Sequence, residues 1–128
     1  MDSDISSGIY IVEPLNDEPV CSYSSDKRRS GQGMPIQRGM IKFGRATNLE
    51  RRRTDYAKTF GADRIRFVVV VRSVGIDEIE KSVKQRVKAF RLRSPKNRPL
   101  EWLSGISFDS LSALIVECSQ EVESLKTA

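Results

Sequence analysis

Five side chains able to move a proton or hold an anion or metal ion stand out in the chain: Tyr10, Lys42, Arg52, Tyr56 and Glu80. Their spacing is ordered. Gly8-Ile9-Tyr10 comes first, then Lys42-Phe43-Gly44, with Arg52 eight residues after Gly44 and Tyr56 four residues after Arg52. On a helix that last interval puts Arg52 and Tyr56 on one face. The chain has no histidine. Ser-His-Asp and Cys-His catalysis are therefore excluded. Any general base must be Tyr, Lys, Asp, Glu or a water acidified by a metal ion. With only Cys21 and Cys118 as thiols, structural zinc, which takes about four Cys/His ligands, is excluded too. Free thiols in a reducing compartment are expected rather than a disulfide.

Charge narrows the partner. Residues 26–100 hold 21 Lys and Arg against 7 Asp and Glu, whereas the two ends together hold 1 and 10. A basic middle between acidic ends suits a polyanion. Its cations alternate with apolar residues through foldable segments, which favours nucleic acid over a solvated tail. At 128 residues the chain suits one domain with one modest core. No apolar run approaches the roughly 20 residues of a membrane span. The acidic, polar start is unlike a secretory signal, so an intracellular or virus-associated setting is expected and secretion is not.

The elements that must position these side chains follow from pattern. Gly8 to Pro14 reads as a strand, β-branched and aromatic, ended by Pro14. Residues 15–39 are polar and rich in Ser, Gly and charge, and read as a long loop. Met40 to Gly44 is a second strand. Thr47 with Glu50 makes a capping box for a helix that Gly61 stops. Arg64 to Arg72 is a strand, apolar on both faces and so expected in the centre of a sheet. Asp77 with Glu80 makes a second capping pattern, followed by Ile79, Val83, Val87 and Phe90 at helical spacing. Ser94 to Pro99 is a basic turn, and Glu101-Trp102-Leu103 a short strand or turn. Residues 107–126 form a third helix, one side of it acidic. The expectation is an α/β (α+β) domain: a small three-stranded antiparallel or mixed sheet flanked by about three helices.

The ordered set of Gly8-Ile9-Tyr10, Lys42-Phe43-Gly44, Arg52, Glu80 and Glu101-Trp102-Leu103 resembles the GIY-YIG endonucleases. It is closest to the branch with a Lys-apolar-Gly second motif and a Glu-Trp segment near the end. The stretch from Ile41 to Arg53 carries most of the likeness, which spans about residues 7–104. The resemblance implies hydrolysis of DNA phosphodiester bonds with Mg²⁺ or Mn²⁺. Tyr10 inherits the role of base, Arg52 that of phosphate clamp, Tyr56 that of a second water-orienting group, and Glu80 that of the single metal-binding carboxylate. Each role makes chemical sense. A guanidinium offers paired donors to phosphoryl oxygens, and one carboxylate leaves Mg²⁺ most of its waters. Gly8 and Gly44 are the structural glycines, Gly44 allowing backbone and phosphate to approach closely. Arg45, Arg51, Arg53 and Lys58 would hold the nucleic-acid backbone.

Three positions depart from the family pattern. Lys42 replaces the second tyrosine, Lys84 stands where many members of the branch carry histidine, and only Asn97 could serve as the late asparagine. Plain structural alternatives exist as well: Tyr10 as a strand aromatic, Tyr56 packed with Leu49, and Glu80 as the capping partner of Asp77. Two other function classes stay open. One is a nucleic-acid-binding module on the same fold that does not cut. The other is an interaction protein docking a partner through the acidic third helix. DNA is the expected partner, with branched or nicked duplexes and RNA left open. A chain this small would gain specificity from a homodimer or a targeting protein.

Overall fold

The computed structural model describes residues 5–15, 38–93 and 99–127. Cys21 and most of the expected 15–39 loop lie outside the described residues, as does Asn97. The elements run β1 (Gly8–Pro14), β2 (Met40–Ala46), α1 (Leu49–Phe60), β3 (Ile65–Arg72), α2 (Ile76–Arg86), a 3-10 turn (Lys88–Phe90), β4 (Arg91–Arg93), β5 (Pro99–Ser104) and α3 (Phe108–Thr127). The fold is α+β, and among the described residues no helix is long and apolar enough to cross a membrane.

The sheet has five strands in the order β3-β1-β2-β5-β4, and all four pairings are antiparallel. This corrects the three-stranded expectation. The additional hairpin, β4 and β5, adds to the free side of β2 through Met40–Ser104, Ile41–Leu103 and Lys42–Trp102. A second correction concerns β3, which among the described residues is an edge strand and pairs only with β1. Its apolar run reflects helices on both faces rather than a strand on each side. Phe67 and Val69 meet the α1 layer, while Val70 and Val71 meet the α2 and α3 layer.

Alternation along β1 builds the two layers. Ile9 and Ile11 point to one side, against Ile79 and Val83 of α2 and Leu111 and Ile115 of α3. Tyr10 and Val12 point to the other, against Leu49, Tyr56 and Phe60 of α1. Ile9 and Ile11 are fully buried, and each contributes on the order of 2 kcal/mol by leaving water. A register shift between Ile9 and Tyr10 in the pairing with β3 places Ile9 opposite Val71 and Tyr10 opposite Val69. The extra residue on β3 is a bulge, a device that re-aims nearby side chains.

The helix starts are held differently from what the sequence pattern predicts. Asn48, not Thr47, caps α1, its side chain accepting from the Arg51 N–H at 3.1 Å. The Ser6 carbonyl accepts from the Leu49 N–H at 2.8 Å, and the Ser6 hydroxyl donates to the Thr47 carbonyl at 2.9 Å. These bonds fix the start of α1, and hence Arg52, to the beginning of β1. Helix α2 is capped by Gly75 without a side-chain bond. Asp77 lies inside the first turn, where its charge suits the helix dipole. The expected Asp77–Glu80 box is therefore not formed, and the Glu80 carboxylate is available for another use. Arg86 of α2 grips α3, reaching Glu121 at 2.7 and 2.5 Å and Glu117 at 3.3 Å. Part of the acidic side of α3 is thus satisfied within the fold. Among the described cysteines, Cys118 is a buried free thiol packed in the α2 and α3 layer.

Candidate active site

Strand β2 is paired with β1 from Lys42 to Ala46, but with β5 only from Met40 to Lys42. Beyond Lys42 the side of β2 away from β1 carries no β5 partner, and a cavity of about 300 Å³ opens there. Tyr10, Lys42, Gly44 and Arg52 line it from the α1 layer and the strand itself. Phe43, Glu80, Lys84, Val87 and Leu103 line it from the α2 side, with Arg45 and Arg91 at its rim. Helices α1 and α2 pack on opposite faces of the sheet, yet Arg52 and Glu80 reach the same cavity because it wraps around this strand margin, which among the described residues has no strand paired to it.

Gly44 is what makes the floor. A β-carbon there would stand 2.5 Å from the Tyr10 hydroxyl oxygen and 2.8 Å from Cζ. No side chain other than hydrogen fits without moving Tyr10. Gly8 has a comparable but purely structural constraint, since its β-carbon would meet the Val71 carbonyl at 2.1 Å.

Tyr10 is only 1% exposed and stacks on Phe67, ring centroids 4.7 Å apart. Its hydroxyl lies 3.1 Å from that of Tyr56, and either can donate. Burial, reinforced by Tyr56, pushes the Tyr10 phenol well above its ordinary value, while Lys42 and Arg52 pull it down by less. Tyr10 is therefore a neutral phenol at neutral pH. When Tyr56 donates, the Tyr10 proton is free to face the cavity. When Tyr10 donates, its oxygen faces the cavity as an acceptor.

Tyr56 is fully buried and does not line the cavity. Its ring packs among Tyr10, Phe60 and Phe67, and the Lys42 ammonium sits 5.3 Å from its centroid. It supports Tyr10 and Lys42 from below rather than facing the cavity beside Arg52. Lys42 itself is 4% exposed, and the π face of Tyr56 helps to stabilise its charge in a desolvated place.

Of the three adjacent arginines, only Arg52 lines the cavity. Arg51 and Arg53 are exposed. Arg53 lies over the Phe67 ring at 5.1 Å and pairs with Glu50 at 3.8 Å. Lys58 is exposed in the last turn of α1, away from the cavity. Arg45 does reach the site, and pairs with both Asp77 and Glu80.

Among the described residues Glu80 is the one carboxylate on the cavity wall, its side chain 16% exposed. Arg45 Nε approaches its Oε1 at 3.2 Å and Lys84 Nζ at 3.5 Å. Both cations approach Oε1, so the carboxylate is already held between two positive charges. Among the described residues there is no cluster of three or more His, Cys, Asp or Glu side chains able to hold a metal ion. A metal here would rest on Glu80 alone, a donor set that fits Mg²⁺ or Mn²⁺, which keep several waters, and not zinc. Glu78, two residues away, is exposed and lines no part of the cavity.

Two lining cations were not among the candidate site residues. Lys84 falls four residues after Glu80, a spacing that signals an ion pair. Arg91 opens a three-residue strand after a 3-10 turn and carries no sequence signal. Comparison of the chain with protein-family models, with curated proteins and with solved structures gives no match.

Proposed function

We propose that this cavity is the active centre of a metal-dependent endonuclease of GIY-YIG type, hydrolysing phosphodiester bonds in DNA. The observation that carries the reading is the meeting of Tyr10, Lys42, Arg52 and Glu80 around Gly44 in one cation-lined cavity. Arg52 supplies paired donors to the non-bridging oxygens, where charge grows as water adds to phosphorus. Lys42 adds a positive charge in a dry setting, where it acts strongly. Tyr10 orients the attacking water through its neutral hydroxyl, whose direction is set by Tyr56. Glu80 would hold Mg²⁺ or Mn²⁺ through its carboxylate. When bound, the metal ion stabilises the leaving oxygen and makes water a better nucleophile. Arg45, and further out Arg51, Arg53 and Lys58, add positive potential for the nucleic-acid backbone.

The test is conversion of supercoiled plasmid to nicked circles with Mg²⁺ and with Mn²⁺. Nicking that requires the metal and disappears in Glu80→Ala supports the reading. Metal-independent nicking, or full activity in Glu80→Ala, sinks it.

A second reading has its own observation. Arg45 and Lys84 already neutralise Glu80, an arrangement that suits a nucleic-acid-binding module that does not cut. Salt-sensitive DNA binding with no nicking under either metal would select it.

A further inference from the structure

We infer that a nucleic-acid strand reaches the cavity along α2 and the turn after it, on a track formed by Lys81, Lys84, Lys88 and Arg91. This rests on the reading of the cavity as a nucleic-acid site and adds the path by which the strand enters.

A second groove runs beside the first cavity, lined by Arg45, Asp77, Glu80, Lys81, Lys84 and Lys88 among others. Arg45, Glu80, Lys84 and Arg91 line both, so the two are one continuous surface. Its acidic members are already matched. Asp77 pairs with Arg45, and Glu80 with Arg45 and Lys84. Lys81 and Lys88 are exposed, and among the described residues they make no ion pair. Positive charge is therefore in excess along the groove.

The spacing suits a phosphate backbone. Lys81 and Lys84 fall about one turn apart on α2, and Lys88 opens the 3-10 turn just beyond its end. Lysines lining one groove can each meet a phosphate of a strand that continues into the cavity lined by Arg52. The outer side of α1 offers less. Arg51, Arg53 and Lys58 line neither the cavity nor this groove, and Arg53 is committed to Glu50 and the Phe67 ring.

The test measures anisotropy of a fluorescein-labelled duplex of about 20 base pairs in EDTA, titrated with full-length protein at several salt concentrations. Plasmid nicking by the wild type is assayed in parallel. Each phosphate contact contributes about 0.9 to the slope of log K against log[salt]. The double variant Lys81→Gln/Lys88→Gln should lower that slope by about two and weaken binding. The charge-matched Arg64→Gln/Arg66→Gln, exposed on the far side of the sheet edge, should leave it unchanged. Thermal melts establish that each variant folds. A wild-type slope in Lys81→Gln/Lys88→Gln alongside active nicking overturns the track and leaves the nuclease reading intact. So does a slope lost instead in Arg51→Gln/Lys58→Gln. A slope lowered by two with no nicking by the wild type supports the track and removes the hydrolytic reading. If the wild type shows no salt-dependent binding, both fall.

Discussion

The α-carbon of Gly44 and the hydroxyl of Tyr10 share a space too small for one methyl group: a β-carbon on Gly44 would lie 2.5 Å from that oxygen. The strand pairing sets this directly, since Tyr10 is opposite Gly44 in the β1–β2 register. Gly44→Ala must displace the Tyr10 ring. That ring stacks on Phe67 and is bonded to Tyr56, so it cannot rotate freely away. The expected result is a protein destabilised by about 1–3 kcal/mol, as overpacked cores are. Nicking activity should fall further than that loss of folded protein explains. Urea denaturation and plasmid nicking, measured on the same preparation, check both. Wild-type stability and activity in Gly44→Ala would show that Tyr10 is not held where the floor of the cavity requires it.

Glu80 and Arg52 reach one cavity from opposite faces of the sheet, and they should fail in different ways. Glu80→Gln keeps the shape and removes the charge, so Arg45 and Lys84 are released toward phosphate. Metal-dependent nicking should disappear while duplex binding holds or tightens. Arg52→Ala removes donors needed most as charge develops, and should lower the cleavage rate by about 10²–10³, on the order of 3–4 kcal/mol of barrier. Single-turnover rates and anisotropy separate the two. Equal losses in binding and rate for both variants would argue against distinct roles.

The part of the candidate site from Lys42 to Tyr56 was legible because its spacing lies within one short segment, whereas Tyr10 and Glu80 join it only through the sheet. The eight residues from Gly44 to Arg52 cross one strand end and about one turn past the helix cap Asn48, so local geometry fixes their relation. The sheet was less legible. A run of apolar residues such as Phe67 to Val71 reports burial on two faces, but cannot say whether strands or helices supply it; here helices do, and β3 is an edge. The strand containing Trp102 was only half visible, because three residues set no period and its pairing with β2 is a long-range contact. The Asp77–Glu80 box failed because Gly75 starts α2 earlier than the pattern suggests. Tyr56 shares a helix face with Arg52, as its spacing requires, but that face is broad enough for one to line the cavity and the other to lie fully beneath it.

In the proposed mechanism Tyr56 acts through Tyr10, and this predicts a particular pattern of non-additivity. Tyr10→Phe removes the hydroxyl that orients water and should lower nicking strongly. Tyr56→Phe removes the bond that aims that hydroxyl, and should lower it less, with substrate affinity unchanged. In the double variant, Tyr56→Phe should cost nothing further, because the group it positions is gone. Stability should drop by about 1 kcal/mol in Tyr56→Phe from the lost buried hydrogen bond. Rates that multiply in the double variant would mean that Tyr56 contributes independently.

The raised Tyr10 phenol links stability to alkaline pH. In the unfolded chain this group ionises near pH 10. In the fold, burial first and Tyr56 second keep it protonated well beyond that, against the weaker pull of Lys42 and Arg52. The folded state therefore binds a proton that the unfolded state releases. The stability contributed by this phenol is fully present below about pH 10 and is lost as pH rises above it, at up to about 1.4 kcal/mol per pH unit. Urea midpoints at about pH 9, 10 and 11 should decline more steeply in the wild type than in Tyr10→Phe, which has no phenol to ionise in either state. Parallel declines in the two proteins would place the Tyr10 hydroxyl in contact with water. Its bond to Tyr56 would then be an exposed one, too weak to aim a nucleophile.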